Sequence, residues 1–220
     1  MIKIENIDVY GFEAAIRGAR NPKNSWHLMD SGYNNGKFEI GENDYDLLRR
    51  LTIAGPEHRK WNRMVTATMD ITAPLYWWKE ADTYKVGTVA NSCSTMHKIQ
   101  AKEFELDDFS HEHLLEGGLL HLHGTIKHLN AARDVFNNFE NCKPELKEAC
   151  GFEITKKDIW WQMIQLLPTS YNQKRTVHLN YEVLGTIYHQ RRHHKLDEWV
   201  EFCDTIKTLP YSEFITREFE

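Results

Sequence analysis

Between Met64 and Ile71 the chain alternates: Val65, Ala67, Met69 and Ile71 share one parity, and Met64, Thr66, Thr68 and Asp70 the other. Side chains of a strand point to opposite faces in turn, so this stretch reads as a strand with one buried face. Pro74 follows and fits the first turn of a helix over PLYWWKEADTYK. A strand needs partners. Residues 2–10 alternate imperfectly through Ile2, Ile4, Ile7 and Val9, and TSYNQKRTVHL supplies a further candidate.

The rest is mostly helical. FEAAIRGAR is a short helix, and the polar RNPKNSW and DSGYNNGK segments read as a surface loop of the kind that touches ligands. Asn43 is placed to cap a helix through Ala54, with Leu47, Leu48 and Leu51 on one face and Gly55-Pro56 as the stop. From Ser110 to about Phe139 the period is helical, with Leu114, Leu115, Leu119, Leu122, Ile126 and Leu129 as core candidates. Gly117-Gly118 is expected to bend or interrupt that helix, at a cost of roughly 1 kcal/mol per glycine. Thr155 caps a helix ended by Pro168, Asn180 caps one through about His193, and a last helix covers Asp197 to about Thr208. No repeat, low-complexity tract or linker interrupts the 220 residues, so one α+β domain over 1–220 is expected.

Charge and cysteines narrow the function classes. A net charge of −5 gives no general pull toward polymeric nucleic acid or anionic membranes, so a phosphate would need a local basic pocket. Cys93, Cys142, Cys150 and Cys203 form no C-x-x-C pair, which argues against a sulfur-rich zinc site and for a reducing compartment. MIKIENIDVYGF lacks the basic-then-apolar pattern of a signal peptide, and no apolar run is long enough to span a bilayer; a cytoplasmic protein is expected.

Ligand-type residues concentrate in VGTVANSCSTMHK. Lys85, Lys98 and His97 supply point charges there, and Ser92, Ser94 and Thr95 supply hydroxyls suited to a phosphate. The bland alternative is a Ser/Thr-rich loop whose hydroxyls satisfy its own backbone. No residue near Ser94 in sequence reads as a dedicated base, so a hydrolytic triad is not expected. His111/His113, His121/His123 and His189/His193 have spacings a metal accepts, but H-x-H on a helix splays its rings about 200° apart. No metal site is expected. Trp77-Trp78 and Trp160-Trp161 read as core or subunit-interface aromatics.

The order of elements over residues 45–97 resembles the flavin-dependent thymidylate synthases. That family runs from a helix with a Gly-containing turn to a Phe-Glu-His corner, a strand, and a helix start at Ala-Pro. The motif R-H-R-x-x-S-x-N-x-x-S-x-R-Y follows. Here the same order reads LLRRLTIAG, Pro56-Glu57-His58, RMVTATMDI, Ala73-Pro74-Leu75-Tyr76 and TYKVGTVANSCSTMH, with Asn91-Ser92-Cys93-Ser94 matching the Asn-x-x-Ser core. The C-terminal half adds Leu167-Pro168, a strand, and a helix opening at Asn180 and closing on Arg191, with Arg192 beside it. The arginines depart from the pattern. The R-H-R triplet falls at Tyr84-Lys85-Val86 or Thr83-Tyr84-Lys85, the closing Arg-Tyr is Met96-His97, and a helix Arg two turns before Arg191 is Glu182.

The resemblance implies an antiparallel or mixed sheet with packed helices, and a homotetramer with shared active sites. It implies FAD as cofactor, NADPH and methylenetetrahydrofolate as co-substrates, and a pyrimidine nucleotide such as deoxyuridylate as methyl acceptor. Arg191 would polarise the base and Ser94 would hold the nucleotide, with Ser92, Thr95, His97 and Lys98 beside it. Glu57, His58, Tyr84, Lys85 and Asn91 would line the flavin side. Arg grips anions through a planar five-donor fork that Lys and Met do not reproduce, so an altered substrate is expected. The alternative from another class is a nucleotide- or partner-binding protein that keeps the fold without the chemistry.

Overall fold

The computed structural model describes residues 2–219. The chain opens with β1 (Lys3–Tyr10), α1 (Phe12–Arg20), the hairpin strands β2 (Gly32–Asn34) and β3 (Lys37–Glu39), α2 (Glu42–Ala54) and β4 (Thr66–Pro74). Next come α3 (Leu75–Ala81), β5 (Thr88–Ser92), α4 (Thr95–Lys98), α5 (Glu116–Asn137), α6 (Phe139–Cys150) and α7 (Lys156–Leu166). The last elements are β6 (Asn172–Asn180), α8 (Tyr181–Arg191), α9 (Asp197–Lys207) and α10 (Glu213–Thr216). The class is α+β, with an antiparallel sheet ordered β1-β4-β6-β5. The chain divides into two compact units, one of Ala73–Lys79 and Ser92–Lys174, the other of Ile2–Thr72, Glu80–Asn91 and the residues from Arg175 onward.

In the second unit the alternation of β4 is realised: Val65, Ala67, Met69 and Ile71 are buried. The opposite parity makes polar cross-strand bonds. Asp70 accepts from Thr176 Oγ1 at 2.6 Å and from Asn6 Nδ2 at 2.9 Å. Asn6 sits at φ 53° where the β1–β4 register shifts between Glu5 and Asp8, which explains the imperfect alternation of β1.

The polar segment before α2 is not a plain loop. It folds into two short turns and the β2–β3 hairpin. Asn43 is not the cap of α2; the helix begins at Glu42, and the Asp30 carboxylate accepts from the backbone N–H of Asn43 at 2.9 Å and Asp44 at 3.0 Å. Desolvation is the largest single effect on the Asp30 carboxyl and raises it, but these two bonds and the other hydrogen bonds around it together hold it below its ordinary range. Asp44 is itself wholly buried. One of its oxygens meets Arg20 Nε at 2.6 Å, and the other accepts from the N–H of Asp30 and Ser31 and from Ser31 Oγ. Both oxygens of that carboxylate have donors, the condition under which a buried charge is tolerated.

In the first unit, Leu122, Ile126 and Leu129 of α5 pack with Ile99, Phe104, Phe109 and Met163. The expected helix from Ser110 starts only at Glu116, so Leu114 and Leu115 precede it and are exposed. Gly117 and Gly118 lie in its first turn and do not break it; the interruption falls at Asn138, between α5 and α6. Thr155 caps α7 as expected, and Asp158 completes a reciprocal box with it. Trp77 and Trp78 are both buried, and Trp78 Nε1 donates to the Gln173 carbonyl at 2.9 Å.

Asp44→Ala is expected to destabilise the fold by about 3–5 kcal/mol, because it strands the Arg20 guanidinium and three hydrogen-bond donors; urea unfolding measures this. Burial pushes the Cys203 thiol up to about 11, so it should resist thiol reagents in the native state while exposed Cys93 and Cys150 react. Because the native state then holds a proton that the unfolded chain releases above pH 9.0, stability from this group falls as pH rises toward 11.

Candidate functional site

A cleft of about 580 Å³ opens in the second unit between the Thr83–Gly87 turn and the first two turns of α8. This is within the size range of small-ligand sites. Arg63, Tyr84 and Lys85 line it together with Asn180, Glu182 and Thr186. The Asn180 side chain accepts from the Val183 N–H at 2.9 Å and so starts α8 where sequence predicts. Gly87 lies against it at φ 78°, and a Cβ there would come within 2.3 Å of Asn180 Nδ2; this is one position where a side chain would push the turn away from the helix.

The charges of the cleft divide into bound and unbound. Glu182 takes Arg59 Nε on both carboxylate oxygens, at 3.0 and 2.9 Å, and Arg217 Nη2 approaches to 3.9 Å. Burial lowers the Arg217 guanidinium, helped by the neighbouring Arg59 charge. Arg63 and Lys85, by contrast, have no ionic or hydrogen-bond partner for their side chains among the described residues. Two exposed, uncommitted cations on one concavity make it a place for an anion such as a phosphate.

Behind Tyr84 stands a second cluster in the same unit. The Tyr84 hydroxyl accepts from Arg191 Nε at 2.9 Å and donates to Gln190 Oε1 at 2.9 Å. Arg191 Nη1 meets Glu80 Oε2 at 2.9 Å, and its guanidinium lies 4.9 Å from the Trp199 ring centroid and 5.7 Å from that of Tyr84. Glu80 also accepts from Trp199 Nε1 at 3.1 Å, with His194 Nε2 at 3.6 Å. Arg191 is therefore not a solvent-facing member of the basic run RRHHK.

The other residues singled out in sequence are placed as follows. Glu57 and His58 sit on an exposed corner, 3.7 Å apart, and Asn91 is exposed on β5; none of the three lines the cleft. In the first unit, Ser94 Oγ caps the short α4, accepting from Met96 N at 3.2 Å and His97 N at 3.1 Å. The same oxygen lies 2.8 Å from His97 Nδ1, so a basic group does stand beside it, three residues along. Ser92, His97 and Lys98 are exposed and Thr95 is half-buried. Among the described residues no three His, Cys, Asp or Glu side chains converge as a metal would need. Arg63, Thr186, Glu80 and Gln190 escaped the sequence reading. Only position marks them out, with no local motif.

Neither a protein-family model nor a curated protein matches this chain in sequence. Solved structures do match in fold. A thymidylate synthase X from Helicobacter pylori, solved with FAD and dUMP, aligns over 97% of this chain and 96% of its own, at 16% identity and a TM-score of 0.62. The UMP/dUMP methylase PolB from Streptomyces cacaoi, bound with 5-Br dUMP, aligns over 99% of this chain and 95% of its own, at 13% identity and a TM-score of 0.59. The expected fold of the flavin-dependent thymidylate synthases is thus the observed one.

Replacing Arg63 and Lys85 together by Ala should leave the melting temperature in plain buffer nearly unchanged, since neither side chain is bonded. The same change should remove any rise in melting temperature that inorganic phosphate gives the unaltered protein.

Proposed function

From this shared fold, we propose that the chain is a flavin-dependent methyltransferase acting on a pyrimidine nucleotide, with a substrate altered from the deoxyuridylate of typical thymidylate synthases. One observation carries the reading: the Tyr84-Lys85 positions that stand for the family's arginine triplet line a cleft with two unpaired cations. The residues fit FAD chemically. Tyr84 offers a ring to a planar heterocycle, Asn180 and Thr186 offer polar groups, and Arg63 and Lys85 offset negative charge.

A flavin held here would supply hydride to a methylene carbon drawn from methylenetetrahydrofolate, with NADPH as its reductant. The share of this chain is to orient the ring against Tyr84 and to stabilise charge through Lys85 and Arg63. Glu182 carries a carboxylate where the family has an arginine, so hydrogen-bond donors of the ligand meet an acceptor on that wall. In the first unit, Ser94 with His97, Ser92, Thr95 and Lys98 is assigned to nucleotide contacts, its hydroxyl and imidazole already paired.

We assign the protein to a homotetramer in the cytoplasm. Leu115 is 84% and Leu120 75% exposed at the start of α5, apolar surface that a subunit interface would cover. All four cysteines are unpaired, as in a reducing compartment, and no described helix is long and apolar enough to cross a membrane.

A second reading, a nucleotide-binding protein without turnover, is favoured by one fact. Arg191 and Glu182, both at positions of family arginines, are tied to Glu80 and Arg59 within the protein.

The visible spectrum of the protein after loading with FAD and desalting tests the first reading. Retained flavin bands and folate-dependent methylation of a pyrimidine nucleotide are expected. A colourless protein stabilised by nucleotide would establish the second reading instead. Leu120→Glu is expected to shift the elution volume in size-exclusion chromatography toward that of a smaller species.

A further inference from the structure

We infer that Glu80 and Arg191 are positioning residues that hold the Tyr84 ring as the fixed aromatic wall of the cleft, and that Arg191 acts through Tyr84 rather than on the ligand. The inference rests on the proposed reading that the cleft takes a planar heterocycle. Its grounds are geometric. Tyr84 lines the cleft, and neither Glu80 nor Arg191 does. The phenol oxygen is bonded on both sides, accepting from Arg191 Nε and donating to Gln190 Oε1, each at 2.9 Å. A hydroxyl with donor and acceptor both engaged has one orientation, and the ring that carries it loses its freedom to rock about its side-chain torsions.

Arg191 is in turn over-determined. Glu80 pulls on Nη1 at 2.9 Å, and the Trp199 face lies 4.9 Å beneath the guanidinium. Glu80 is anchored independently by Trp199 Nε1 at 3.1 Å. Trp199 is wholly buried, so the chain Trp199–Glu80–Arg191–Tyr84 runs from the core to the cleft wall. An arginine so engaged presents its charge to Glu80. Its service to the ligand is the placement of Tyr84.

A double-mutant cycle tests this, with FAD as the probe and two readouts: its dissociation constant and the shift of its visible bands on binding. Tyr84→Phe keeps the ring and removes the tether, and should weaken binding about ten-fold, the effect of a hydrogen bond to a charged group. Glu80→Gln should weaken binding by a similar factor and reduce the band shift, although Glu80 does not touch the cleft. In the Tyr84→Phe background, Glu80→Gln and Arg191→Lys should each add nothing, because the positioned hydroxyl is already gone.

Additive effects in that background would mean that Arg191 meets the ligand directly, and would overturn the inference while leaving the cleft reading in place. Unaltered protein that binds neither FAD nor dUMP would overturn both. Melting temperatures of the variants within a few degrees of the parent keep the comparison one of binding rather than folding.

Discussion

A buried carboxylate organises the second unit. Asp44 sits with no exposed surface at the start of α2, where the helix dipole favours a negative charge, and bonds four donors from α1 and from the Asp30–Ser31 turn. Asp30 returns the favour by capping α2. An isolated buried charge would cost several kcal/mol, so the arrangement persists only while every partner is present. α1, the turn and α2 are thereby committed to one relative placement. α2 then leads through Gly55 into the Arg59–Arg63 turn, which brings Arg59 to Glu182 and Arg63 to the cleft.

The cleft follows the usual rule for buried charge. Glu182, Arg59, Arg191 and Glu80 are half-buried or better shielded and all paired; Arg63 and Lys85 are exposed and free. Paired groups shape walls, because breaking either partner leaves the other uncompensated. Unpaired cations in water carry no such structural duty, and their proximity on a concave surface is what suits them to an anionic ligand. The division separates scaffold from ligand contact more clearly than residue type does.

Much of the fold was legible because it rests on short-range rules. The β4 alternation, the Thr155 cap and the Asn180 cap involve residues within four positions of one another, and each is found as read. The differences have separate physical causes. Asn43 is a good cap by type, yet Asp30, thirteen positions earlier, does the work. Leu114 and Leu115 continue a helical period, but the helix starts after them and the period has no physical support there. Ser94 read as a ligand hydroxyl without a base, and a single turn of helix brings His97 Nδ1 to it.

What the sequence determined by itself is the class of fold and the ends of several elements, such as α1, α7 and α9, since hydrogen-bond periodicity and capping act within a few residues. It also marked Tyr84, Lys85, Asn180 and Arg191, through their order along the chain. Only the tertiary structure decided which charges are spent. Arg191 meets Tyr84 across 107 positions and Arg59 meets Glu182 across 123. Whether an arginine binds a ligand or a neighbouring carboxylate depends on which is within about 3 Å of it. Distance of that kind is set by how helices and strands pack, which no local pattern encodes.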